Sequence, residues 1–353
     1  MSIFEQKLIE IIETISISPD LTISHPDYPP TTIEPDLKVR FTQIPHQLQQ
    51  KFLTDRVRNY LDDLYFTGSL LPIDPVDTTS QILPAQLGER LTNGVDLNFY
   101  RRLQHSNTSC GYLDLNWQIV AVTEDRELIV AKDGLHVHVD LQQHVPPNLH
   151  QAKIGDTIPI YLPHNLVGID TYIMVGDAGS PQHDERQVGN AQFVRLYFNI
   201  TPDAAVAIAA QLTAALNKLG VRFEFAILHH PHLFYRYDAA TLWLADADYL
   251  AVQATLLAIY QAHQTEFSPQ VPLFTKQLAP GLGLAQVSLA TESFGRHRCE
   301  LVAEGLVAAF LHAETSTTDR LARIASAWHN AQLDWHQPYL NSSSRDNYPV
   351  YLT

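Results

Sequence analysis

Several residue types and patterns are scarce in this chain of 353 residues, and each shortage narrows the class of protein. There are two cysteines, Cys110 and Cys299, which is too few for a disulfide framework and typical of a reduced cytosolic protein. No apolar run approaches the ~18 residues that a transmembrane helix needs. The N-terminus MSIFEQKLIEIIETIS lacks the basic start and uniform apolar stretch of a signal peptide. We therefore expect a cytoplasmic protein that does not enter a membrane.

Positive charge is also scarce. The 23 basic residues face 38 acidic ones, which gives a net charge of −15. Such a surface repels nucleic acid and anionic lipid, so we expect neither as a partner. Sixteen of the basic residues are arginines and seven are lysines. Because arginine offers a planar fork for carboxylate or phosphate, an acidic protein that binds an anion must gather its arginines locally.

The common motifs of metal, nucleotide and hydrolase sites are missing. The histidines of LHHPHLF, residues 228–234, are interrupted by proline, and neither HExxH nor a cysteine pair accompanies them. Gly281 and Gly283 belong to no complete GxGxxG or GK[ST] motif, and GxSxG is absent. We therefore predict no metal and no cofactor.

The apolar pattern changes period along the chain. Residues 3–15 and 48–66 have the spacing of amphipathic helices, and from Trp117 the period becomes two in WQIVAV, ELIVAK and LHVHVDL. Later strands alternate with helices. This order predicts an α+β fold with a helical N-terminal segment, residues 1–95. The segment packs on a mixed, largely antiparallel β-sheet core with flanking helices, residues 96–353, as one continuous unit.

For one later helix, capping residues in the sequence predict both the first and the last residue. After the strand at residues 193–200, Thr201 is placed as N-cap and Pro202 as the first helical residue, and Gly220 ends the helix.

A second local signal is the hairpin in IVAKDGLHVHVD. Asp133-Gly134 between alternating apolar runs predicts a two-residue type I′ turn. Lys132 then pairs with Leu135, and His136 and His138 point to the opposite face of the hairpin. The histidines are zinc ligands, an acid and base, or solvated side chains. Lys132 and the histidines cannot serve one site through an unbulged hairpin.

Arginines stand out on three separate segments. In the strand QFVRLYFNI, Arg195, Tyr197 and Asn199 share one face, which is either solvated or provided with partners. Arg236 lies between tyrosines in FYRYD, and Arg296 and Arg298 lie beside a predicted helix start in SFGRHRCE. We hypothesise that these arginines converge on one anion, although each alone is more often part of a surface ion pair.

The chain resembles the HopA type III effector family, which is also widespread in bacterial peptide-modification clusters. The matching stretches run in family order from about residue 98 to residue 341 and are NTSCGYLDLNW, VAKDGLHVHV, VRLYFN, FYRYD, VPLFTKQLAPGLGLA, SFGRHR and QPYLN. In clusters for class V lanthipeptides and thioamitides, such proteins act as the lyase partner of a separate kinase. The resemblance implies a phosphoserine/phosphothreonine lyase. Its substrate is a kinase-phosphorylated ribosomal precursor peptide, and its products contain dehydroalanine or dehydrobutyrine.

The resemblance also implies roles for individual residues. Lys132 matches the lysine before the glycine turn and is the predicted base, and His138 matches a histidine of the returning strand and is the predicted acid. The predicted phosphate-binding residues are Arg195, Tyr197, Asn199, Arg236, Arg298 and Arg296.

The chain departs from the family pattern at two positions. Many relatives have lysine where this chain has Ala226 and glutamate where it has Gln286. The alternative is therefore a weakly active or inactive member that binds peptide or serves as a kinase scaffold.

The sharpest structural expectation concerns the arginines. Arg195, Arg236 and Arg298 should point into one pocket with Tyr197 and Asn199 on its floor. Because guanidinium groups repel, that pocket should contain an anion, acidic side chains or water.

Overall fold

Helices and antiparallel strands alternate in a computed structural model that describes residues 3–70, 91–92, 95–123, 127–183, 192–288 and 293–351. None of the helices in these ranges combines the length and apolar character that a membrane span requires. The α-helices are α1 (Ile3–Thr14), α2 (Pro35–Gln43), α3 (His46–Leu61), α4 (Leu97–Ser106), α5 (Leu141–His144), α6 (Pro202–Leu219), α7 (Tyr249–Ala262), α8 (Phe294–Leu311) and α9 (Thr317–Asn330).

The strands form one large sheet and three smaller ones. They are β1 (Ser16–Ile17), β2 (Ile23–His25), β3 (Tyr28–Thr31), β4 (Leu91–Thr92), β5 (Val95–Asp96), β6 (Tyr112–Val122), β7 (Leu128–Lys132), β8 (Leu135–Val139), β9 (Thr157–Leu162), β10 (Asn165–Val167), β11 (Thr171–Val175), β12 (Phe193–Phe198), β13 (Phe223–Leu228), β14 (Ala240–Ala245), β15 (Lys276–Ala279) and β16 (Leu282–Val287). The seven-stranded sheet has the order β10-β11-β13-β14-β12-β16-β15, and a four-stranded sheet has the order β8-β7-β6-β9.

Local sequence signals account for two well-defined elements. The Thr201 hydroxyl accepts from the backbone N–H of Ala204, and Gly220 ends α6 at φ +66°. In the β7–β8 hairpin, Asp133 and Gly134 have φ values of +50° and +81°, and Lys132 pairs with Leu135. Both predictions are confirmed, because a left-handed cap and a type I′ turn each require positive φ.

The seven-stranded sheet is covered on both faces. Val194, Leu196 and Phe198 point into an apolar core with α6 and α7. Phe193 and Tyr197 point to the other face and pack with residues of α8 and α9. The predicted alternation along this strand is therefore confirmed, and it decides which side chains lie together.

The N-terminal helices belong to this second core. Leu8 of α1 and Val57 of α3 lie in one apolar cluster with Leu306 of α8 and Trp328 of α9. The predicted α+β class, with a helical N-terminal segment packed on a sheet core, is confirmed. The division of the chain at residue 95 stays a prediction.

The helix expected over residues 48–66 differs at its C-terminal end. It is α-helical only as far as Leu61 and continues as a π-helical turn, Asp62–Phe66. In this turn the N–H of Thr67 donates to the carbonyl of Asp62 at 2.8 Å, five residues earlier. The side chain of Phe66 packs edge-on against Tyr197 with ring centroids 5.5 Å apart. Apolar periodicity alone does not distinguish this wider turn from an α-helix.

The crossing of α8 and α9 gives a test of the packing. A Cβ at Gly305 would lie 2.6 Å from the backbone N of Ile324, so Gly305→Ala must push the two helices apart. We expect the free energy of unfolding to fall by about 2 kcal/mol. Urea denaturation of the two proteins measures this change. Stabilisation by about 1 kcal/mol, the usual effect of glycine to alanine in a helix, would contradict the close approach.

Candidate functional site

The site lies on the sheet face that carries Arg195. Antiparallel pairing sets Glu224, Trp243, Arg195 and Ala285 side by side on β13, β14, β12 and β16. The next row on the same face contains Ala226, Thr241, Tyr197 and Gly283. Directly paired residues point to the same side of a sheet. Arg195, Tyr197 and Ala226 therefore share one face.

Arg195 and Tyr197 interact closely on this face. The Arg195 guanidinium lies over the Trp243 ring, 5.3 Å from its centroid. Its Nε is buried and has no hydrogen-bond partner among the described residues. Tyr197 is almost completely buried, and burial raises the pKa of its hydroxyl far above the ordinary value, while the charge of Arg195 and a hydrogen bond with it oppose the rise.

A second arginine approaches from the loop before β14. Arg236 Nε and Nη2 each donate to one carboxylate oxygen of Asp238 at 2.9 Å. The backbone N–H of Tyr237 donates to the carbonyl of Thr67 at 2.8 Å, which attaches this loop to the end of the π-helical turn. The Arg236–Asp238 pair is therefore held beside Asp62, the first residue of that turn.

Asp62 connects these groups electrostatically. The pKa of Asp62 is raised to about 6, first by burial and then by the negative charges of Asp63 and Asp238, while Arg296 and Arg236 act in the opposite direction. Asp62 and Asp238 in turn raise the pKa of Tyr197. We call the following residues the arginine–aspartate cluster: Asp62, Arg195, Tyr197, Arg236, Asp238 and Arg296.

Tyr197 acts electrostatically on Arg298, although the hydrogen bonds of Arg298 go to groups outside the cluster. The expectation that Arg298 shares a pocket with Arg195 and Arg236 stays a prediction. The Arg298 guanidinium is buried, and Nε and Nη2 donate to the carbonyls of Pro338 and Leu340, both at 3.0 Å. Nη1 lies 2.7 Å from Nδ1 of His297. Burial lowers its pKa to about 10, so it remains charged at neutral pH. Arg298 anchors the C-terminal segment, whereas Arg296 is exposed and acts electrostatically on Asp62.

Asn199 also has a structural position. It is buried, and its side-chain Nδ2 donates to the carbonyl of Gln270 at 3.0 Å. Its backbone carbonyl accepts from Ser268 at 2.9 Å. Asn199 thus fixes the segment before β15, which corrects the expectation that it forms the floor of an anion pocket.

Lys132 and His138 are placed on opposite faces of the small sheet, as the hairpin geometry predicted. Lys132 Nζ donates to Asp114 at 2.9 Å and to the carbonyl of Leu115 at 2.8 Å. His138 is mostly exposed, and its Nδ1 lies 3.7 Å from Glu127. Within the described part of the chain, no hydrogen bond or ion pair joins either residue to the arginine–aspartate cluster. The proposed roles of base and acid stay predictions.

Lys132 nevertheless lies towards the same side of the seven-stranded sheet as Arg195. Its partner Asp114 is close to Tyr112. The pKa of Tyr112 is raised to about 12, mainly by burial and to a smaller extent by the negative charges of Asp114 and Glu224. Glu224 is two strands from Arg195 in one row, which is roughly 10 Å at the usual strand spacing. Lys132 is thus connected to the row of Arg195 only indirectly, through Asp114, Tyr112 and Glu224.

The two departures from the family pattern have different positions. Ala226 lies in the row of Tyr197 and faces the cluster. Gln286 pairs with Val194 and faces the opposite side, where its Nε2 donates to the Tyr348 hydroxyl at 2.7 Å. Only the change at position 226 bears directly on the chemistry of the cluster.

The structure offers no grouping of three or more His, Cys, Asp or Glu side chains suited to a metal ion within its described ranges. His229 from the LHHPHLF stretch is buried, and its Nε2 lies 3.2 Å from the carbonyl of Ile169. Its position is explained by this local contact.

Sequence reasoning missed the two carboxylates of the cluster. Asp238 lies two residues after Arg236 within FYRYD, so the arginine and its partner occur in one quoted motif. Asp62 lies in RNYLDDLYF, which carries no recognisable site motif. The one feature of the sequence that could have indicated Asp62 is the pair of adjacent acidic residues, Asp62 and Asp63, within an otherwise apolar helical pattern.

The neighbouring arginines at 296 and 298 give a matched test of these assignments. Arg298→Ala leaves two buried carbonyls without donors and should lower the free energy of unfolding by about 3 kcal/mol. Arg296→Ala removes an exposed side chain and should change it by less than about 0.5 kcal/mol. Urea denaturation monitored by tryptophan fluorescence compares them. Equal destabilisation by the two substitutions would contradict the anchoring role of Arg298.

Comparisons with known proteins give two structural neighbours and one family. The effector protein from Pseudomonas syringae pv. tomato strain DC3000 is 16% identical, with 70% of this chain and 81% of that chain covered and a TM-score of 0.39. The effector protein from Pseudomonas syringae pv. syringae strain 61 is 14% identical, with 83% and 98% covered and a TM-score of 0.42. No protein with a curated description matches. The model of the HopA1 effector protein family matches residues 162–340, a little over half of the sequence. The chain therefore belongs to the HopA1 effector protein family.

Proposed function

We propose that this protein is a phosphoserine/phosphothreonine lyase that removes phosphate from a kinase-phosphorylated ribosomal precursor peptide. The observation that carries the proposal is a chain of neighbouring charges in a protein of net charge −15: Arg195 acts on Tyr197, Tyr197 is influenced by Asp62, and Asp62 is influenced by Arg236 and Arg296. Guanidinium groups suit phosphate because their planar forks match its oxygens. A separate peptide kinase would supply the substrate.

The reaction is a β-elimination. A base takes the Cα proton, and the electron pair of the Cα–H bond becomes the new Cα–Cβ π bond. The Cβ–O bond breaks, and phosphate leaves with the bonding pair and takes a proton from solvent. Dehydroalanine remains from phosphoserine and dehydrobutyrine from phosphothreonine. The chain must therefore supply a base and cations for the charge that develops on the leaving phosphate.

The resting state of the cluster is compatible with this role. Asp238 neutralises Arg236, and Asp62 is within electrostatic reach of both Arg236 and Arg296. These carboxylates are the acidic side chains expected beside crowded guanidinium groups. A phosphate ester would compete with them for the same donors, and the Arg195 Nε would be available without breaking a hydrogen bond within the described residues.

The base predicted from the family resemblance is Lys132. Its ammonium group donates to Asp114 and to the carbonyl of Leu115. To act as a base, it would have to lose a proton and leave both acceptors. Lys132 therefore remains a prediction whose test is Lys132→Ala.

The phosphate-binding role can be tested at Arg195. Arg195→Lys keeps the positive charge and loses the fork, so we expect kcat/KM for a phosphorylated peptide to fall about 100-fold. Mass spectrometry of the peptide measures loss of the complete phosphoric acid. Arg101→Lys, on the exposed face of α4, is the matched control and should retain activity.

The products also decide between reaction classes. Recovery of unmodified serine or threonine would show a phosphatase. An unchanged peptide with every variant would contradict the lyase proposal.

A binding protein without catalysis is the second candidate, and the observation that favours it is Ala226 on the face of the cluster. Such a protein would hold the phosphorylated peptide or its kinase and leave the chemistry to another chain.

Restoring lysine at this position separates the two functions. Ala226→Lys places an ammonium group in the row of Thr241 and Tyr197, so an inactive lyase should gain elimination activity and bind phosphopeptide several-fold more tightly. Gln286→Glu, the other departure, faces away and is the control. Tight peptide binding with no turnover in either variant would support the binding protein.

A further inference from the structure

Asp62 occupies an unusual backbone position next to the cluster. It is the first residue of the π-helical turn, and its carbonyl accepts from the N–H and the hydroxyl of Thr67 at 2.8 and 3.2 Å. Single π-helical turns within longer helices are frequent at functional sites. Phe66, the last residue of the turn, packs against Tyr197, and the carbonyl of the following Thr67 accepts from the N–H of Tyr237 in the loop of Arg236.

The carboxyl group of Asp62 has no evident structural purpose. Its Oδ1 is buried and has no hydrogen-bond partner among the described residues. An unsatisfied buried oxygen costs stability, and native proteins retain few of them. By contrast, both oxygens of Asp238 accept from Arg236, so that carboxylate is fully engaged.

Charged and titratable groups face Asp62 from four sides. The charges that act on it are those of Asp63 on its own turn, Arg236 and Asp238 on the loop before β14, and Arg296 on α8. The negative charge of Asp62 raises the pKa of two further groups, the hydroxyl of Tyr197 on β12 and the buried thiol of Cys299 on α8. Arg58 of α3 acts on the same thiol.

These surroundings favour proton transfer near neutral pH. Burial is the largest cause that raises the pKa of Asp62 to about 6, from an ordinary value of 3.8. At pH 7 the group is mostly ionised, and it is a stronger base than an ordinary carboxylate. A carboxyl group exposed to water would be ionised but weakly basic.

The position of Asp62 relative to the cations matches what β-elimination demands. Three bonds separate the phosphorus of a phosphorylated residue from its Cα, so the base must lie beside the groups that hold the phosphate. Asp62 is within electrostatic reach of Arg236 and Arg296, whereas the donors of Lys132 are held in the small sheet by Asp114 and Leu115.

We propose that Asp62 is the general base that takes the Cα proton. This inference rests on the proposed lyase function and assigns one residue of it. The Cα proton moves to the Asp62 carboxylate, the Cα–H pair forms the double bond, and phosphate leaves with the Cβ–O pair. Asp62 then releases the proton to water.

The pH dependence of elimination tests the assignment. The rate of elimination from a synthetic phosphoserine peptide is measured with the full-length protein between about pH 4.5 and about pH 9. The peptide is used both unlabelled and deuterated at Cα. Because the base acts in its ionised form, kcat/KM of the wild type should fall with decreasing pH below about 6 and level off above it. A residue acting as an acid would give the opposite slope.

Three variants separate catalysis from folding. Asp62→Asn should lower kcat/KM at pH 7 by at least about 100-fold and abolish the acidic limb. Asp62→Glu should keep a limb and part of the activity. Asp63→Asn, the matched control on the same turn, removes a charge that raises the pKa of Asp62, so its limb should move to lower pH while the plateau is kept.

Urea unfolding provides a readout that does not depend on turnover. The folded state disfavours ionised Asp62, so removing its charge should stabilise the protein most above pH 6, and the stabilisation should shrink as the pH falls towards 3.8. A stabilised and inactive Asp62→Asn protein is the expected result.

Two results would overturn the assignment, and they differ from failure of the lyase itself. Elimination by wild type together with an unchanged rate or unchanged limb in Asp62→Asn would show that Asp62 is not the base. Loss of the limb in Lys132→Met, with the limb kept in Asp62→Asn, would assign the base to Lys132. No elimination by the wild type would contradict the lyase function and this inference together.

Discussion

The antiparallel register of β12 between β14 and β16 decides which side chains meet in this protein. Because side chains alternate along a strand, the pairing of Arg195 with Trp243 and Ala285 directs Arg195 and Tyr197 to one face and Val194, Leu196 and Phe198 to the other. A slip of one residue would place the guanidinium in the α6–α7 core and expose the apolar set. The apolar core on one face thus fixes the position of the charged cluster on the other.

The charges of the arginine–aspartate cluster are not fully paired. Arg236 and Asp238 form a two-point ion pair, whereas the Arg195 Nε and Asp62 Oδ1 are buried without hydrogen-bond partners in the described part of the chain. A region built for stability would satisfy both atoms or replace them with apolar groups. Under the proposed lyase function, the unpaired donor would contact the phosphate and the unpaired acceptor would take the Cα proton.

Sequence patterns predicted the parts of this arrangement that depend on neighbouring residues. The hairpin at Asp133-Gly134, the helix from Thr201 to Gly220 and the polar face of β12 each follow from local rules of turn, cap and period. The arginines of α8 did not follow from such rules. Residues 296 and 298 differ by about 200° around a helix, so they point to nearly opposite sides, and only tertiary packing decides which one faces the sheet.

Asp62 was beyond sequence reasoning for a related reason. In an α-helix that continued from α3, successive side chains would be about 100° apart around the helix axis. The π-helical turn that begins at Asp62 changes this angle, and with it the directions of the side chains in the turn. Nothing in the letters DDLYF distinguishes the two turns. The contact of Phe66 with Tyr197 and the glycine at 295, where a Cβ would lie 2.4 Å from the Phe66 ring, are long-range features that accompany the wider turn.

The residues matched by the family model include the arginines of the cluster but neither of the two candidate bases. Arg195, Arg236 and Arg296 lie within residues 162–340, whereas Asp62 and Lys132, the two candidate bases, lie before that span. In both hypotheses, the anion-binding groups come from the seven-stranded sheet, its loops and α8, and the proton acceptor comes from the part of the chain that precedes them. Under the proposed lyase function, proteins that share the sheet would share affinity for a phosphate group and still differ in chemistry, because the reaction would depend on what the preceding segment places beside the arginines.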